Sequence, residues 1–352
     1  MNQKINTLIV DDSAMVRDVL RDFLDADGSF NIIGEAADGE EGVQKILSMS
    51  PDLVTLDIEM PKMNGLEVIE EVFKQTNVPI VVITSHDTAK TAYEATVRGA
   101  LEFFPKDIFL KPLSPEKQQN IYDTLKRISG VKAQKSSVVN YCAEDFKIPE
   151  KRKIEAVVIA SSTGGPKALS RFFSLLPGDF PLPIIIVQHN SSGFDACFAE
   201  WLDSFTQLKV KVAEEGDIPQ AGTVYIAQTG KHLELQRSGA GDGSSNPLVL
   251  VYNDDAPEQN QKPSADVLFR TAAQTCNQSL ISVVFTGMGN DGAGGTRKVK
   301  EMGGITLAQD EESSIIYGMP KAAAETGCVD IVLPLDKISE ELVRLVNPGI
   351  EL

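Results

Sequence analysis

The feature that most constrains this fold is a repeated change of period in the apolar pattern, from short β-branched runs to longer stretches with helical spacing. The change occurs five times before residue 129, and the last helical stretch runs from about Ser114 to Arg127. Alternation of this kind is typical of a parallel sheet flanked by helices. The sequence therefore predicts a doubly wound, five-stranded parallel α/β domain over residues 1–129.

A second alternating region follows residues 130–152, a segment of small, polar and charged residues without sustained periodicity. Such a composition is typical of an interdomain linker. Within residues 153–352, strand-like runs at His232–Gln236 and Leu248–Tyr252 flank the Gly- and Ser-rich segment 239–246. We predict a second α/β domain there, with a mostly parallel sheet and one antiparallel hairpin.

The charge of the chain argues against nucleic acid as a partner, because 50 acidic side chains against 33 basic ones leave a formal net charge of −17. The four cysteines are far apart and form no C-x-x-C pair. This spacing argues against a zinc cluster or a disulfide framework and favours the reducing cytoplasm. No apolar run approaches the roughly 18 residues that a transmembrane helix needs, so we expect no membrane insertion.

Several polar residues fall where the predicted strands of the first domain end, the edge at which open parallel sheets bind ligands. They are, in chain order, Asp11 and Asp12, Asp57, Thr84 and Lys106. Carboxylates are ligands for Mg²⁺, and a carboxylate beside a metal is a known nucleophile toward phosphoryl donors. The pattern predicts such a site, with Lys106 and Thr84 holding phosphoryl oxygens. The alternatives are a helix N-cap for the Asp-Asp-Ser run and a solvated loop position for Lys106.

Residues 4 to 128 resemble the response-regulator receiver domain. The resemblance rests on these positions and on the string Asp57-Ile58-Glu59-Met60-Pro61-Lys62-Met63-Asn64-Gly65. It implies Asp57 as the phosphoacceptor and a histidine kinase as the phosphodonor. It also implies a Mg²⁺ cofactor held by Asp11, Asp12, Asp57 and the backbone carbonyl of Glu59.

The same resemblance implies a conformational switch made of Thr84, Lys106 and Phe103. For Phe103 the alternative is an ordinary core residue of the fifth strand. The chain departs from the family after the lysine, where Asp107 replaces the usual proline and Pro105 precedes Lys106 instead. We therefore expect the local turn to differ from that of the family.

The second domain opens with a strand-to-helix turn. The run Glu155–Ala160 leads into Ser161-Ser162-Thr163-Gly164-Gly165-Pro166 and then into a helical pattern. Such a turn exposes hydroxyl groups and directs backbone N–H groups outward, which suits a nucleophile or an anion. A phosphate-binding loop is the alternative, but no Gly-Lys-Ser or Gly-Lys-Thr follows.

A serine nucleophile needs a base, and the chain contains only three histidines. His86 lies in the first domain and His232 begins a hairpin strand, whereas His189 ends a strand, as Ser162 does. Asp291 follows another strand in a glycine-rich loop and could orient the imidazole. The alternatives are a structural histidine and an ordinary turn aspartate.

Residues 154 to 348 resemble the catalytic domain of the chemotaxis protein-glutamate methylesterases. The matching strings are Ser162-Thr163-Gly164-Gly165, Gln188-His189, Pro-Ser-Ala-Asp-Val-Leu-Phe at 263–269, Thr-Gly-Met-Gly-Asn-Asp-Gly at 286–292, Gln309-Asp310-Glu311 and Tyr317-Gly318-Met319-Pro320-Lys321.

The resemblance implies phosphorylation-controlled hydrolysis of glutamate methyl esters on methylated chemoreceptors, giving sensory adaptation, with glutamine deamidation as a further activity. The implied triad is Ser162, His189 and Asp291, with oxyanion donors near Thr163 and Met288 and no cofactor in this domain.

Three alternatives remain at this stage. Ser161 offers a second hydroxyl next to Ser162, so the nucleophile could lie one residue earlier. The second domain could also dock partners without catalysis. A DNA-binding regulator would need a basic recognition helix, and the acidic second half of the chain offers none.

Overall fold

The computed structural model describes residues 4–85, 89–131, 152–239 and 246–347, and these residues form two compact units. The first unit lies within residues 4–131 and the second within residues 152–347. Most of the predicted linker 130–152 and of the hairpin tip 239–246 lies outside the described residues, as do His86 and Cys142. Within the described ranges, no helix is both long and apolar enough to cross a bilayer.

The first unit has the predicted five parallel strands, in the order β2-β1-β3-β4-β5. The strands are β1 (Ile5–Val10), β2 (Phe30–Ala36), β3 (Leu53–Leu56), β4 (Ile80–Thr84) and β5 (Glu102–Pro105). The helices are α1 (Ala14–Asp27), α2 (Gly39–Met49), α3 (Gly65–Phe73), α4 (Ala89–Arg98) and α5 (Pro115–Ser129). The strand order reverses between β1 and β3, so the loops after these two strands meet at one edge.

The second unit is built on a seven-stranded parallel sheet in the order β14-β13-β12-β6-β7-β9-β8. Its strands are β6 (Ala156–Ser161), β7 (Ile184–Gln188), β8 (Lys209–Val212), β9 (Thr223–Ile226), β12 (Leu280–Val284), β13 (Ile305–Gln309) and β14 (Ile331–Leu333). Every residue of the central strands β12, β6 and β7 is buried. Continuous apolar runs are what a parallel strand covered on both faces requires.

The helices of this unit are α6 (Gly165–Ser174), α7 (Asp195–Asp203), α8 (Ala265–Cys276), α9 (Ala293–Glu301), α10 (Met319–Glu325) and α11 (Leu335–Val346). The sequence interpretation did not identify α11, although its apolar face is buried through Ile338 and Leu342.

The predicted hairpin is present as β10 (His232–Arg237) and β11 (Leu248–Asn253), which pair only with each other in the described part of the chain. It packs on α8, where the Thr275 hydroxyl donates to the Leu235 carbonyl at 2.8 Å. Leu233 and Leu250 join the core beneath the main sheet. The first residue of the hairpin, His232, is fully buried.

Candidate functional site

The structure brings the predicted acidic residues of the first unit together. The Asp57 N–H donates to the Val10 carbonyl at 2.8 Å, which places Asp57 beside the end of β1. One carboxylate oxygen from each of Asp11, Asp12 and Asp57 lies within 4.8 Å of the others. Asp11 and Asp57 are buried and Asp12 is exposed, so the cluster opens to solvent on one side.

Lys106 is the cation that reaches this cluster. Its Nζ donates to Asp57 Oδ2 at 2.6 Å and forms an ion pair with Asp11 Oδ2 at 3.0 Å. Burial raises the pKa of Asp57 to about 6 and also raises the pKa of Asp11 above its usual value. One ammonium group does not neutralise three carboxylates, so the arrangement fits a divalent cation with oxygen ligands.

Two further predicted residues of the first unit, Thr84 and Phe103, lie on β4 and β5. Thr84 is fully buried, ends β4 and pairs with Pro105 of β5, one residue before Lys106. Phe103 is buried and packs edge-on against Tyr93, with ring centroids 4.9 Å apart. This buried aromatic contact is the kind expected for a core residue of the fifth strand, the alternative role of Phe103.

Two features of the loops complete this site. The chain forms a 3₁₀ turn over Lys106–Ile108, so Asp107 is accommodated without drawing Lys106 away from the carboxylates. Glu59 lies in the loop after β3 with an exposed side chain, and the metal ligand that the sequence predicts there is its backbone carbonyl.

In the second unit, three strand ends bring the other predicted residues to one edge. β6 lies between β12 and β7, and Ser161 pairs with Gln188 in the β6–β7 register. The His189 N–H donates to the Ser161 carbonyl at 3.0 Å, so His189 begins the loop beside Ser162. Asp291 lies in the loop that follows β12 on the other side.

The two neighbouring serines have different surroundings. Ser161 is fully buried, and its hydroxyl donates to Gln188 Oε1 at 2.7 Å. Ser162 is half-buried, and its hydroxyl has no hydrogen-bond partner among the described residues. The Ser161 hydroxyl is therefore held in the core by a hydrogen bond, whereas the Ser162 hydroxyl has none in the described structure.

His189 is held by one of its two ring nitrogens. Its Nε2 lies 2.8 Å from Asp291 Oδ2. Its Nδ1 is buried and has no hydrogen-bond partner among the residues that the structure describes. Because a carboxylate only accepts hydrogen bonds, the neutral imidazole carries its proton on Nε2 and keeps its lone pair on Nδ1.

Asp291 is buried and accepts four hydrogen bonds. Besides His189, the donors are the Ser264 hydroxyl at 2.7 Å and the backbone N–H groups of Ala265 at 2.7 Å and Asp266 at 2.9 Å. The carboxylate therefore lies at the N-terminus of α8, where the helix dipole favours an anion. Burial opposes its charge, but the hydrogen bonds from His189 and from α8 hold the pKa of Asp291 below its usual value.

The turn after β6 and the loop after β12 pack tightly against each other. Gly164 has a φ of 77°, a conformation that favours glycine. A Cβ on Gly287 would lie 2.8 Å from Ser162 Cβ and 2.3 Å from Met319 Sδ, so only glycine fits there. This packing sets Met288 next to the turn. In the described structure the backbone N–H groups of Thr163 and Met288 donate no hydrogen bond, as an oxyanion hole requires.

Several residues that support this site were not predicted. Gln188 accepts from Ser161 and donates from Nε2 to the Ser162 carbonyl at 3.0 Å, while Gln309 Oε1 accepts from the Thr286 N–H at 2.8 Å. His232 and Ser264 lie behind Asp291. The strings that carry the methylesterase resemblance already contain Gln188, Ser264 and Gln309, but their roles depend on contacts between distant segments.

Comparisons with known proteins identify the families of both units. A family model described as CheB methylesterase matches residues 157–342, and one described as response regulator receiver domain matches residues 7–115. A protein-glutamate methylesterase/protein-glutamine glutaminase from Pyrococcus horikoshii is 40% identical over 364 residues, covering 99% of this chain and 95% of that protein. A protein of the same name from Clostridium acetobutylicum is 36% identical and covers 98% of this chain and 99% of that protein.

Among solved structures, the catalytic domain of the Thermotoga maritima CheB methylesterase is similar to the second unit. The sequence identity is 41% and the TM-score is 0.52. The match covers 55% of this chain and 100% of that chain. The likeness therefore extends over the whole of that catalytic domain.

Proposed function

The chain belongs to the CheB methylesterase family, and from that premise we propose that it hydrolyses glutamate methyl esters on chemoreceptors with Ser162 as the nucleophile. One observation carries the proposal. The buried Nδ1 of His189 is without a partner in the described structure, while Nε2 is held by Asp291. His189 itself begins the loop beside Ser162. A base oriented in this way can activate a neighbouring hydroxyl.

The reaction follows from these positions. His189 Nδ1 takes the proton of the Ser162 hydroxyl as its oxygen bonds to the ester carbonyl carbon. The Asp291 carboxylate stabilises the resulting imidazolium without accepting its proton. His189 then returns the proton to the methoxy group as the C–O bond breaks, which releases methanol and leaves an acyl-serine. Water, activated by the same nitrogen, hydrolyses the acyl-serine to the glutamate side chain.

The oxyanion of each tetrahedral intermediate needs fixed donors. We assign this role to the backbone N–H groups of Thr163 and Met288. Loss of one such donor typically costs about 100-fold to 1,000-fold in turnover. Because both are backbone groups, the packing of Gly287 against Ser162 positions them, and a Gly287→Ala substitution would displace the loop.

Methanol release from membranes with methyl-labelled receptors tests the proposal. The Ser162→Ala variant should release methanol about 10⁴-fold more slowly than the wild type. The matched control is Ser161→Ala, which removes the neighbouring hydroxyl from its bond to Gln188 and should retain most activity. The reverse result would move the nucleophile to Ser161. Wild-type protein that releases no methanol would favour a docking function without catalysis.

Glutamine deamidation is a second reaction of the same site. An amide differs from the ester only in its leaving group, so the acyl-serine would form with release of ammonia rather than methanol. The relatives named protein-glutamate methylesterase/protein-glutamine glutaminase support this proposal. Ammonia release from glutamine-containing receptors, lost in Ser162→Ala, is the expected result.

In the first unit we propose that a histidine kinase transfers a phosphoryl group to Asp57. Asp11, Asp12, Asp57 and the backbone carbonyl of Glu59 would hold Mg²⁺, which would shield the negative charge of the attacking carboxylate and the phosphoryl group. Lys106 and Thr84 would bind the phosphoryl oxygens, and Phe103 would respond to their movement. The Asp57→Asn variant should form no acyl phosphate with small phosphodonors.

Phosphorylation would control the esterase through the domain order, a receiver over residues 1–129, a linker over 130–152 and a methylesterase over 153–352. We propose that the unphosphorylated receiver inhibits the esterase. Deletion of residues 1 to about 140 should raise methanol release roughly 5-fold to 150-fold, the range of ordinary coupling energies. A truncated, folded protein no faster than the whole chain would exclude this form of control.

The proposed compartment is the cytoplasm. The described cysteines, Cys197, Cys276 and Cys328, are free thiols, as expected in a reducing environment. A thiol count on protein that is purified under argon and denatured would test this assignment, with free thiols as the expected result.

A further inference from the structure

We propose that His232 and Ser264 form a positioning pair that fixes Asp291 and, through it, the imidazole of His189. The inference rests on the proposed triad and adds two residues to it. The hydrogen bonds of these two residues go to Ala256, to each other and to Asp291, and His232 lies at the start of the hairpin rather than on the main sheet. The pair therefore acts through Asp291 and not on the substrate.

His232 hydrogen-bonds to both ends of the segment between β11 and α8. Its Nε2 donates to the Ala256 carbonyl, 3.1 Å away, and its Nδ1 accepts the Ser264 N–H at 3.1 Å. Ala256 and Ser264 lie near the two ends of the segment that joins β11 to α8. The fully buried imidazole thus ties both ends of this segment to the hairpin.

Ser264, which His232 holds in place, in turn orients the carboxylate of Asp291. It is the residue before the first turn of α8, and its hydroxyl donates to Asp291 Oδ1 at 2.7 Å rather than capping its own helix. Ala265 N–H donates to the other oxygen, Oδ2, which also receives His189 Nε2. Donors on both oxygens fix the rotation of the carboxylate, so His189 meets Oδ2 in one orientation.

The size of the expected effect follows from this geometry. If Ser264 shifts, Asp291 loses its hydroxyl donor and the backbone donors of α8 move with it. The imidazole would then meet the carboxylate at a different angle, and Nδ1 would move relative to the Ser162 hydroxyl. A misplacement of about 1 Å can lower turnover by up to about 100-fold.

Two substitutions at His232 separate positioning from packing. In His232→Asn the side-chain oxygen lies near the place of Nδ1 and can still accept the Ser264 N–H. In His232→Gln the amide nitrogen lies near the place of Nε2 and can still donate to Ala256, but the Ser264 N–H loses its acceptor. Both variants replace the imidazole ring by a side-chain amide, so we expect them to lose similar thermal stability.

In the full-length chain, the two His232 variants should differ in kcat. We expect His232→Gln and Ser264→Ala to lower kcat for methanol release by about 10-fold to 100-fold with KM unchanged. His232→Asn should stay within about threefold of the wild type. Ser339→Ala, which removes a buried hydroxyl that donates to the Phe172 carbonyl, is the control and should leave kcat unchanged.

A second readout does not depend on activity. Because the chain has only three histidines, ¹⁵N-histidine labelling gives few ring signals, and a His189→Gln variant assigns that of His189. The Nε2–H proton of His189 should shift in His232→Gln and in Ser264→Ala but not in His232→Asn.

The outcomes separate the two proposals. Equal kcat in His232→Asn and His232→Gln, with an unchanged His189 signal in both, would overturn the positioning role while Ser162-dependent methanol release still supported the esterase. Conversely, the predicted pattern of His189 signals in a chain without methanol release would support the positioning pair and contradict the proposed function.

Discussion

Asp57 and Asp291 are both aspartates in loops that follow a parallel strand, yet their surroundings differ. Each follows a central strand of a parallel sheet and is buried. Asp57 receives the Ile58 N–H at 2.8 Å and a lysine that Asp11 shares. Asp291 receives four donors, three of them from the start of α8. The difference lies in how fully the protein itself satisfies each carboxylate.

The pKa values follow this difference. Burial and, to a lesser extent, the negative charge of the nearby Asp11 raise the pKa of Asp57 to about 6, because a single lysine does not compensate for the lost solvent. For Asp291 the donors outweigh burial and lower the pKa. The groups around Asp57 therefore compensate only part of its buried charge, as the proposed binding of a cation or a phosphoryl group would require, whereas the groups around Asp291 compensate its charge fully, as its proposed role beside an imidazolium would require.

The largest expected effect tests whether the charge of Asp291 supports His189 during the reaction. Asp291→Asn keeps the shape of the side chain but presents an amide nitrogen to one of its donors and removes the negative charge opposite His189. We expect kcat for methanol release to fall about 10⁴-fold, which corresponds to roughly 5 kcal/mol of barrier.

The matched control for this substitution is Asp310→Asn. Asp310 is also buried and follows β13 at the same sheet edge, but it accepts from the Ser313 N–H at 2.9 Å and does not contact His189. We expect Asp310→Asn to lower kcat less than about tenfold. Equal losses in the two variants would mean that Asp291 supports the loops rather than the imidazole.

A smaller effect concerns stability, where the same substitution should act with opposite signs. At pH 7.5 without Mg²⁺, Asp57→Asn should stabilise the first unit by about 1–3 kcal/mol, since a shift of one pKa unit corresponds to about 1.4 kcal/mol. Asp291→Asn should destabilise the second unit by about 1.5–3 kcal/mol, because charge-assisted hydrogen bonds are lost. Differential scanning calorimetry of both variants measures these changes.

The pH dependence gives the sign of each contribution. The folded pKa of Asp57 lies above its unfolded value, so its contribution to the free energy of unfolding falls as the pH rises from about 4 to about 6. The folded pKa of Asp291 lies below its unfolded value, so its contribution is present above that value and is lost on acidification. Destabilisation by Asp57→Asn at pH 7.5 would contradict the comparison.

The sequence predicted the strand ends better than the contacts behind them. Apolar runs locate the buried strands because a covered parallel strand has to be apolar, and the polar residues that follow them mark Asp57, Ser162 and Asp291. Some strand bounds differ from the predicted runs by one residue in either direction, since β7 ends at Gln188 rather than His189 and β6 ends at Ser161 rather than Ala160.

The different surroundings of Ser161 and Ser162 illustrate what the sequence alone could not show. Both are hydroxyl residues in the same turn, and only the pairing of β6 with β7 places Gln188 against Ser161. His232 was set aside because it begins a hairpin strand, and nothing in its neighbours along the chain indicates that it bonds the residue before α8. Both cases depend on contacts between residues that are distant in sequence.

The smallest expected effect is a change in metal affinity with pH, confined to the first unit. With a pKa of about 6, Asp57 is almost fully ionised at pH 7.5 and only about a quarter ionised at pH 5.5, so Mg²⁺ affinity should fall roughly fourfold between these values. Calorimetric titration of the full chain with Mg²⁺ at both pH values measures the change. In Asp57→Asn, which lacks this proton, binding should be weak at both values and should fall less between them. Affinity of the wild type that does not change with pH would mean that Asp57 is as well satisfied as Asp291, and the contrast between the two carboxylates would fail.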